Sequence, residues 1–124
     1  MKAHPFLLAA ALAVVAASAT AQDAGQRAFQ VCSVCHSVGS VGDKVEGPNL
    51  KGIVGRKVAS SPSFKYSEAM KKFAETHPVW TEELLDEYIK GAEALVPGTA
   101  MNNAPAMRNA GARKAIIEYL KAQN

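Results

Sequence analysis

Apolar residues in this chain come first as one block and then at helical spacing. From Pro5 to Ala17 they are almost unbroken; beyond that they recur every three or four positions, between stretches broken by glycine and proline. No segment alternates with the period of two that marks a half-buried strand. The pattern predicts helices joined by long loops. Asp23-Ala24-Gly25-Gln26 has the form of a capping box, opening a first helix with Phe29 on its apolar face. Ser67 is placed to cap a helix over Glu68 to Glu75 that must end before Pro78. Thr81 caps the next, with Glu82 and Glu83 in the first turn, where the helix dipole favours acid, and Leu84, Leu85, Tyr88 and Ile89 on the buried stripe. A last helix carries Ala112, Ile116, Tyr119 and Leu120 at helical spacing. Between these lie two loops, 38–62 with five glycines and two prolines (Gly39, Gly42, Gly47, Gly52, Gly55, Pro48, Pro62) and 91–109 with Pro97, Gly98 and Pro105. Loops this long inside a small domain are usually functional or wrapped around something.

The apolar block reads differently. A positive start (Met1-Lys2-Ala3-His4), the apolar stretch and the small-x-small triplet Ala19-Thr20-Ala21 make 1–21 a secretory signal peptide, cleaved after Ala21. The run is shorter than the roughly 20 residues of a spanning helix, which disfavours a membrane anchor. The remaining chain, 22–124, has room for one exported domain. Its formal charge falls from +3 to +2, because Lys2 leaves with a segment that holds no acid. So nearly neutral a chain lacks the dense basic patches of nucleic-acid binding. A domain this small has a thin hydrophobic core and commonly needs a staple.

The chemistry lies in Cys32-Ser33-Val34-Cys35-His36, which holds both cysteines of the chain. Each thiol can add across one vinyl group of a haem, and the adjacent imidazole can then ligate the iron; this spacing is a c-type haem attachment signal. Three other uses compete. A thioredoxin-like pair should follow a strand and open a helix, whereas these cysteines end a helix. A zinc site needs a fourth ligand, and His77 is the only other histidine in 22–124. A disulfide would close only a tiny loop and leave His36 unexplained. A buried haem, in contrast, supplies the missing apolar volume. Its second axial ligand could come from Met70, Met101, Met107 or His77. Met101, after the irregular segment Pro97-Gly98-Thr99-Ala100, is the best placed to present one sulfur to a flat ligand; Met107 in the same loop is its main rival.

Five motifs in order (Cys32-Ser33-Val34-Cys35-His36, Gly47-Pro48-Asn49-Leu50, Gly55-Arg56-Lys57, Trp80 and Pro97-Gly98-Thr99-Ala100-Met101) resemble those of class I cytochrome c, in the small bacterial forms akin to the mitochondrial protein. The resemblance covers Asp23 to Leu120. It implies an all-α, single cytochrome c domain wrapped around one haem c, covalently attached through Cys32 and Cys35, with its iron held by His36 and Met101. It further implies that Gly25 and Phe29 meet Tyr119 where the first and last helices cross, and that the Pro48 carbonyl accepts from the proximal histidine. Arg56, Tyr66 and Trp80 fall where the family places partners for a haem propionate, and Tyr88 and Thr99 near the methionine face. The chain also departs from the pattern. Met70 stands where the mitochondrial family often has asparagine, and Asn102 and Asn103 replace an apolar-aromatic pair after the ligand. Val31 and Ala100 thin the ring of lysines around the haem edge, which weakens electrostatic steering toward an acidic partner.

A six-coordinate iron has no vacant site, so the resemblance implies a carrier rather than an enzyme: a monomeric periplasmic protein that meets membrane-bound redox complexes transiently. It would shuttle single electrons between a quinol-oxidising cytochrome complex and a terminal oxidase, reductase or photosynthetic centre. The alternatives are service to a periplasmic dehydrogenase and, from another class, a haem enzyme with an open distal site.

Overall fold

The computed structural model describes residues 20–124; the signal segment expected over 1–21 lies, its last two residues aside, outside the described residues. Helix α1 spans 20–29, α2 Glu68–Thr76, α3 Glu82–Lys90, α4 Ala92–Leu95 and α5 Ala110–Lys121, with a turn of 3-10 helix at Pro105–Arg108. Strand-type pairing is confined, among the described residues, to an isolated bridge between Lys57 and Val79. The fold is all-α.

The helix starts follow from side-chain caps. Ser67 Oγ accepts from Met70 N at 3.1 Å and Thr81 Oγ1 from Leu84 N at 3.1 Å, each satisfying one orphan amide of the first turn. Asn109 does the same for α5, accepting from Ala112 N at 2.9 Å. Helix α3 lies against α5, and their buried residues (Leu85, Tyr88, Ile89; Ile116, Ile117, Tyr119, Leu120) enter one core with Phe29, Trp80 and Met107. Each such side chain contributes roughly 1.5–3 kcal/mol by leaving water. Helix α1 crosses α5 at a glycine: a Cβ on Gly25 would sit 2.6 Å from Tyr119 Cβ and 2.7 Å from the Ala115 carbonyl oxygen. One turn later the Phe29 and Tyr119 rings meet with centroids 5.3 Å apart.

Three expectations need correction. Asp23 does not cap α1, because helix already runs from residue 20 and Asp23 lies inside it; Ala21 and Ala24, strong helix formers, extend the element past the capping signal. The stretch 91–109 is not one open loop, since it contains α4 and the 3-10 turn, each four residues long and too short to show a period. Leu84 is only half-buried, while Arg113, a residue type that normally stays in water, is buried at 6 % exposure. Arg113 is tolerated there because its charge is partnered and two of its three nitrogens are bonded. Nε donates to Asp86 Oδ1 at 2.8 Å, and Nη1 donates to the carbonyls of Met107 and Arg108 at 3.0 and 3.2 Å. One side chain thus joins α5, α3 and the 3-10 turn.

Candidate haem site

The cysteines come directly after α1 in a tight turn. Cys32 N donates to Phe29 O at 2.8 Å, and Cys35 N and His36 N return to Cys32 O at 3.1 and 2.9 Å. Both thiols are half-buried. Burial, and after it the neighbouring Cys35, pushes the Cys32 thiol up to about 11. A disulfide-exchanging pair needs the opposite, a stabilised thiolate, so the redox-pair alternative loses its chemistry. Nor do three or more His, Cys, Asp or Glu side chains gather into a metal-holding cluster among the described residues, which counts against zinc.

His36 is fixed from two sides. Its Nδ1 lies 2.8 Å from the Pro48 carbonyl oxygen, which can only accept, so Nδ1 carries the proton and Nε2 keeps its lone pair. Gly47 closes the other approach: a Cβ there would fall 2.6 Å from His36 Cε1 and 2.7 Å from Nδ1. Burial lowers the affinity of His36 for a second proton, with Lys44 and Arg56 adding to it and the Pro48 bond opposing. The ring is held neutral, the form that binds a metal.

Loop 38–62 is pinned around this histidine by single side chains. Asp43 accepts from Asn49 N at 2.6 Å and from Ser61 Oγ at 2.5 Å, while Asn49 Nδ2 donates to the carbonyls of Gly39 and Val41. The Ser61 hydroxyl and then the Asn49 amide hold the Asp43 carboxyl below the usual carboxylate range. A depressed carboxylate stabilises the fold above its unfolded value, and that contribution is lost as pH falls through the folded one. The gap in melting temperature between wild type and Asp43→Asn is therefore expected to hold above about pH 5 and to close as pH falls below about 4. A gap that is constant with pH would contradict the latch.

Arg56 donates to Asn49 O at 2.8 Å and to Lys51 O at 3.1 Å, yet its Nε is buried with no acceptor among the described residues. An unspent buried donor costs about 1–3 kcal/mol, which an anionic carboxylate brought in by a ligand would relieve. Tyr66 Oη accepts from Ser61 N at 2.9 Å, leaving its own hydrogen available. Trp80 is buried and packs on Tyr88 with centroids 5.2 Å apart.

On the methionine side the candidates separate. Met70 and Met107 are buried core residues, the latter within the 3-10 turn that packs on α3 and α5. His77 is exposed and stacks on Phe73. Met101 alone of the four is half-buried in irregular chain, two residues after Thr99, whose Oγ1 lies 2.6 Å from Tyr88 Oη. Nothing in the sequence announces that the Asn103 side chain reaches Ala92, Tyr88 and Ile89; such a contact has no spacing rule.

Paired thiols, a neutral histidine with a free Nε2 and a buried cationic donor without a partner make this a site for a covalently attached, acid-bearing ring. Known proteins agree with that class. The chain is 36 % identical over 127 residues, 100 % of its length and 98 % of the relative's, to cytochrome c2 of Rhodomicrobium vannielii. It is 39 % identical over 98 residues, 79 % of this chain and 78 % of the other, to cytochrome c2 of Afifella marina. Among solved structures, ferricytochrome c2 of Rhodopseudomonas palustris superposes with a TM-score of 0.72 at 28 % identity, covering 83 % of this chain and 98 % of that one. No family model matches. The chain belongs to the class I c-type cytochromes, with the small bacterial forms named cytochrome c2. It is an electron carrier whose cofactor is covalently attached haem c with its iron. No helix among the described residues is long and apolar enough to cross a membrane.

Proposed function

We propose that this chain is a periplasmic one-electron carrier, with haem joined through Cys32 and Cys35 and ligated by His36 and Met101. The observation that carries the reading is the His36 Nδ1–Pro48 O hydrogen bond, which dedicates Nε2 to a metal and raises its basicity. When bound, the haem supplies exchange of one electron between Fe(III) and Fe(II). His36 holds its tautomer through Pro48 and its orientation through Gly47. Met101 brings a thioether, a ligand that favours the reduced state. Arg56, Tyr66 and Trp80 have polar hydrogens to give to the propionates, and the Arg56 Nε has no competing use. With His36 and Met101 both holding the iron, no position would be left for a substrate, which suits transfer and not catalysis.

The near-neutral charge and scattered lysines fit brief encounters with membrane-bound redox complexes, as a monomer and without nucleic acid. The partners by class are a quinol-oxidising complex as donor and a terminal oxidase, reductase or photosynthetic centre as acceptor.

The visible spectrum of the exported holoprotein tests the reading. Low-spin bands and a sulfur-to-iron charge-transfer band are expected. Met101→Ala should abolish that band, whereas Met107→Ala should keep it and cost about 2–5 kcal/mol of stability as a core truncation. High-spin bands in the wild type would sink the carrier in favour of an open-site enzyme, and band loss in Met107→Ala would move the ligand.

A further inference from the structure

Met101 lies midway between two tethers to the same helix. Two residues before it, Thr99 Oγ1 meets Tyr88 Oη at 2.6 Å. Two residues after it, Asn103 spends its carboxamide on the junction of α3 and α4: Oδ1 accepts from Ala92 N at 2.6 Å, and Nδ2 donates to Ile89 O at 2.8 Å and Tyr88 O at 3.2 Å. Those two carbonyls belong to the end of α3, where helical acceptors run out of intrahelical donors, and the Ala92 amide opens α4, which has no side-chain cap of its own. The carboxamide therefore answers a need of the helix junction while fixing the chain that carries it.

On the leading side, segment 97–101 has further ties. Gly98 N donates to the Glu93 carboxylate at 3.2 Å and Thr99 N to Val96 O at 3.0 Å. On the trailing side, Asn103 is the first side chain to bind the segment back to α3. An apolar residue at 103 could pack there but could satisfy none of these three groups.

We propose that Asn103 is a positioning residue for Met101: it pins the trailing side of the Met101 segment to the α3–α4 junction, and so keeps the thioether from leaving the iron. The inference rests on Met101 as the ligand. Release of Met101 opens an iron position that an added ligand can take, and the apparent affinity for that ligand tracks the fraction of molecules in the open state.

The test is titration of the ferric holoprotein with imidazole, read by loss of the charge-transfer band. Asn103→Ala should bind imidazole about tenfold more tightly than wild type, since three hydrogen bonds that favour the closed state are lost. Asn103→Asp keeps an oxygen for the Ala92 amide but no amide hydrogens, and it should shift in the same direction; it decides the matter should Asn103→Ala not take up haem. Ile116→Val, a core truncation far from Met101 in sequence, should lower the melting temperature and leave imidazole affinity unchanged. Affinities of the Asn103 variants within about twofold of wild type, or an equal gain in Ile116→Val, would overturn the proposal. A wild-type protein without the charge-transfer band would instead overturn the Met101 assignment, and this inference with it.

Discussion

Gly47→Ala is expected to lower the melting temperature of the holoprotein by about 15 °C and to reduce the yield of protein with haem attached. The added carbon would lie 2.6 Å from His36 Cε1, 2.7 Å from Nδ1 and 2.8 Å from the Cys35 carbonyl oxygen. None of these is the free end of a flexible side chain. The imidazole is tied to Pro48, the residue next to the substitution, and Cys35 O is backbone. Either the ring tilts and the Nδ1–O bond lengthens, or the 47–48 peptide withdraws; both spoil the fixed tautomer. Overpacking of this kind costs about 3 kcal/mol, and a domain of this size loses about 4–8 °C per kcal/mol. Gly42→Ala in the same loop is the control. Nothing lies within 4 Å of its added Cβ, so its effect should stay within about 0.5 kcal/mol. Equal melting curves for the two variants would show that Gly47 is not the floor of the histidine pocket.

Gly25→Ala is the second large effect, and its sign is diagnostic. In the interior of an isolated helix, alanine is better than glycine by about 1 kcal/mol. Here the new carbon would meet Tyr119 Cβ at 2.6 Å and Ala115 O at 2.7 Å, atoms at or next to the backbone of α5. The crossing would have to widen, which separates Phe29 from Tyr119 and opens the core along both helices. A net loss of about 3 kcal/mol is expected in denaturant unfolding of the holoprotein, the clash outweighing the propensity gain. Gly111→Ala, exposed in the first turn of α5, faces only the Asn109 cap oxygen at 3.1 Å and should change stability little. Stabilisation by Gly25→Ala would mean that α1 and α5 do not meet at this residue.

The parts of the fold that sequence reading captures are those with local causes. Ser67 and Thr81 announce their helices because a cap acts within three residues. Asp23 misleads for the same reason: its signal is local, and the alanines around it carry the helix further. The motif around Pro48 is legible in the same way, and the expected bond from His36 to the Pro48 carbonyl is present at 2.8 Å. Long-range polar ties are what the sequence hides. Arg113 reads as an ordinary basic residue on a helix until Asp86 and two carbonyls turn out to surround it. Asn103 reads as a departure from the family pattern, and only the approach of the α3–α4 junction gives it three partners.

Asp43, Asn49, Arg56 and Asn103 share one habit: each fastens a loop through its side chain to backbone, with no regular ladder of main-chain bonds beneath it. In a helix or sheet, stiffness is distributed over many bonds, and no one codon controls it. Here a single nucleotide change can slacken one wall of the cofactor cradle and leave the helices untouched. Loop 38–62 and the segment around Asn103 can therefore be slackened or tightened separately, each through one side chain, while the helices stay the same.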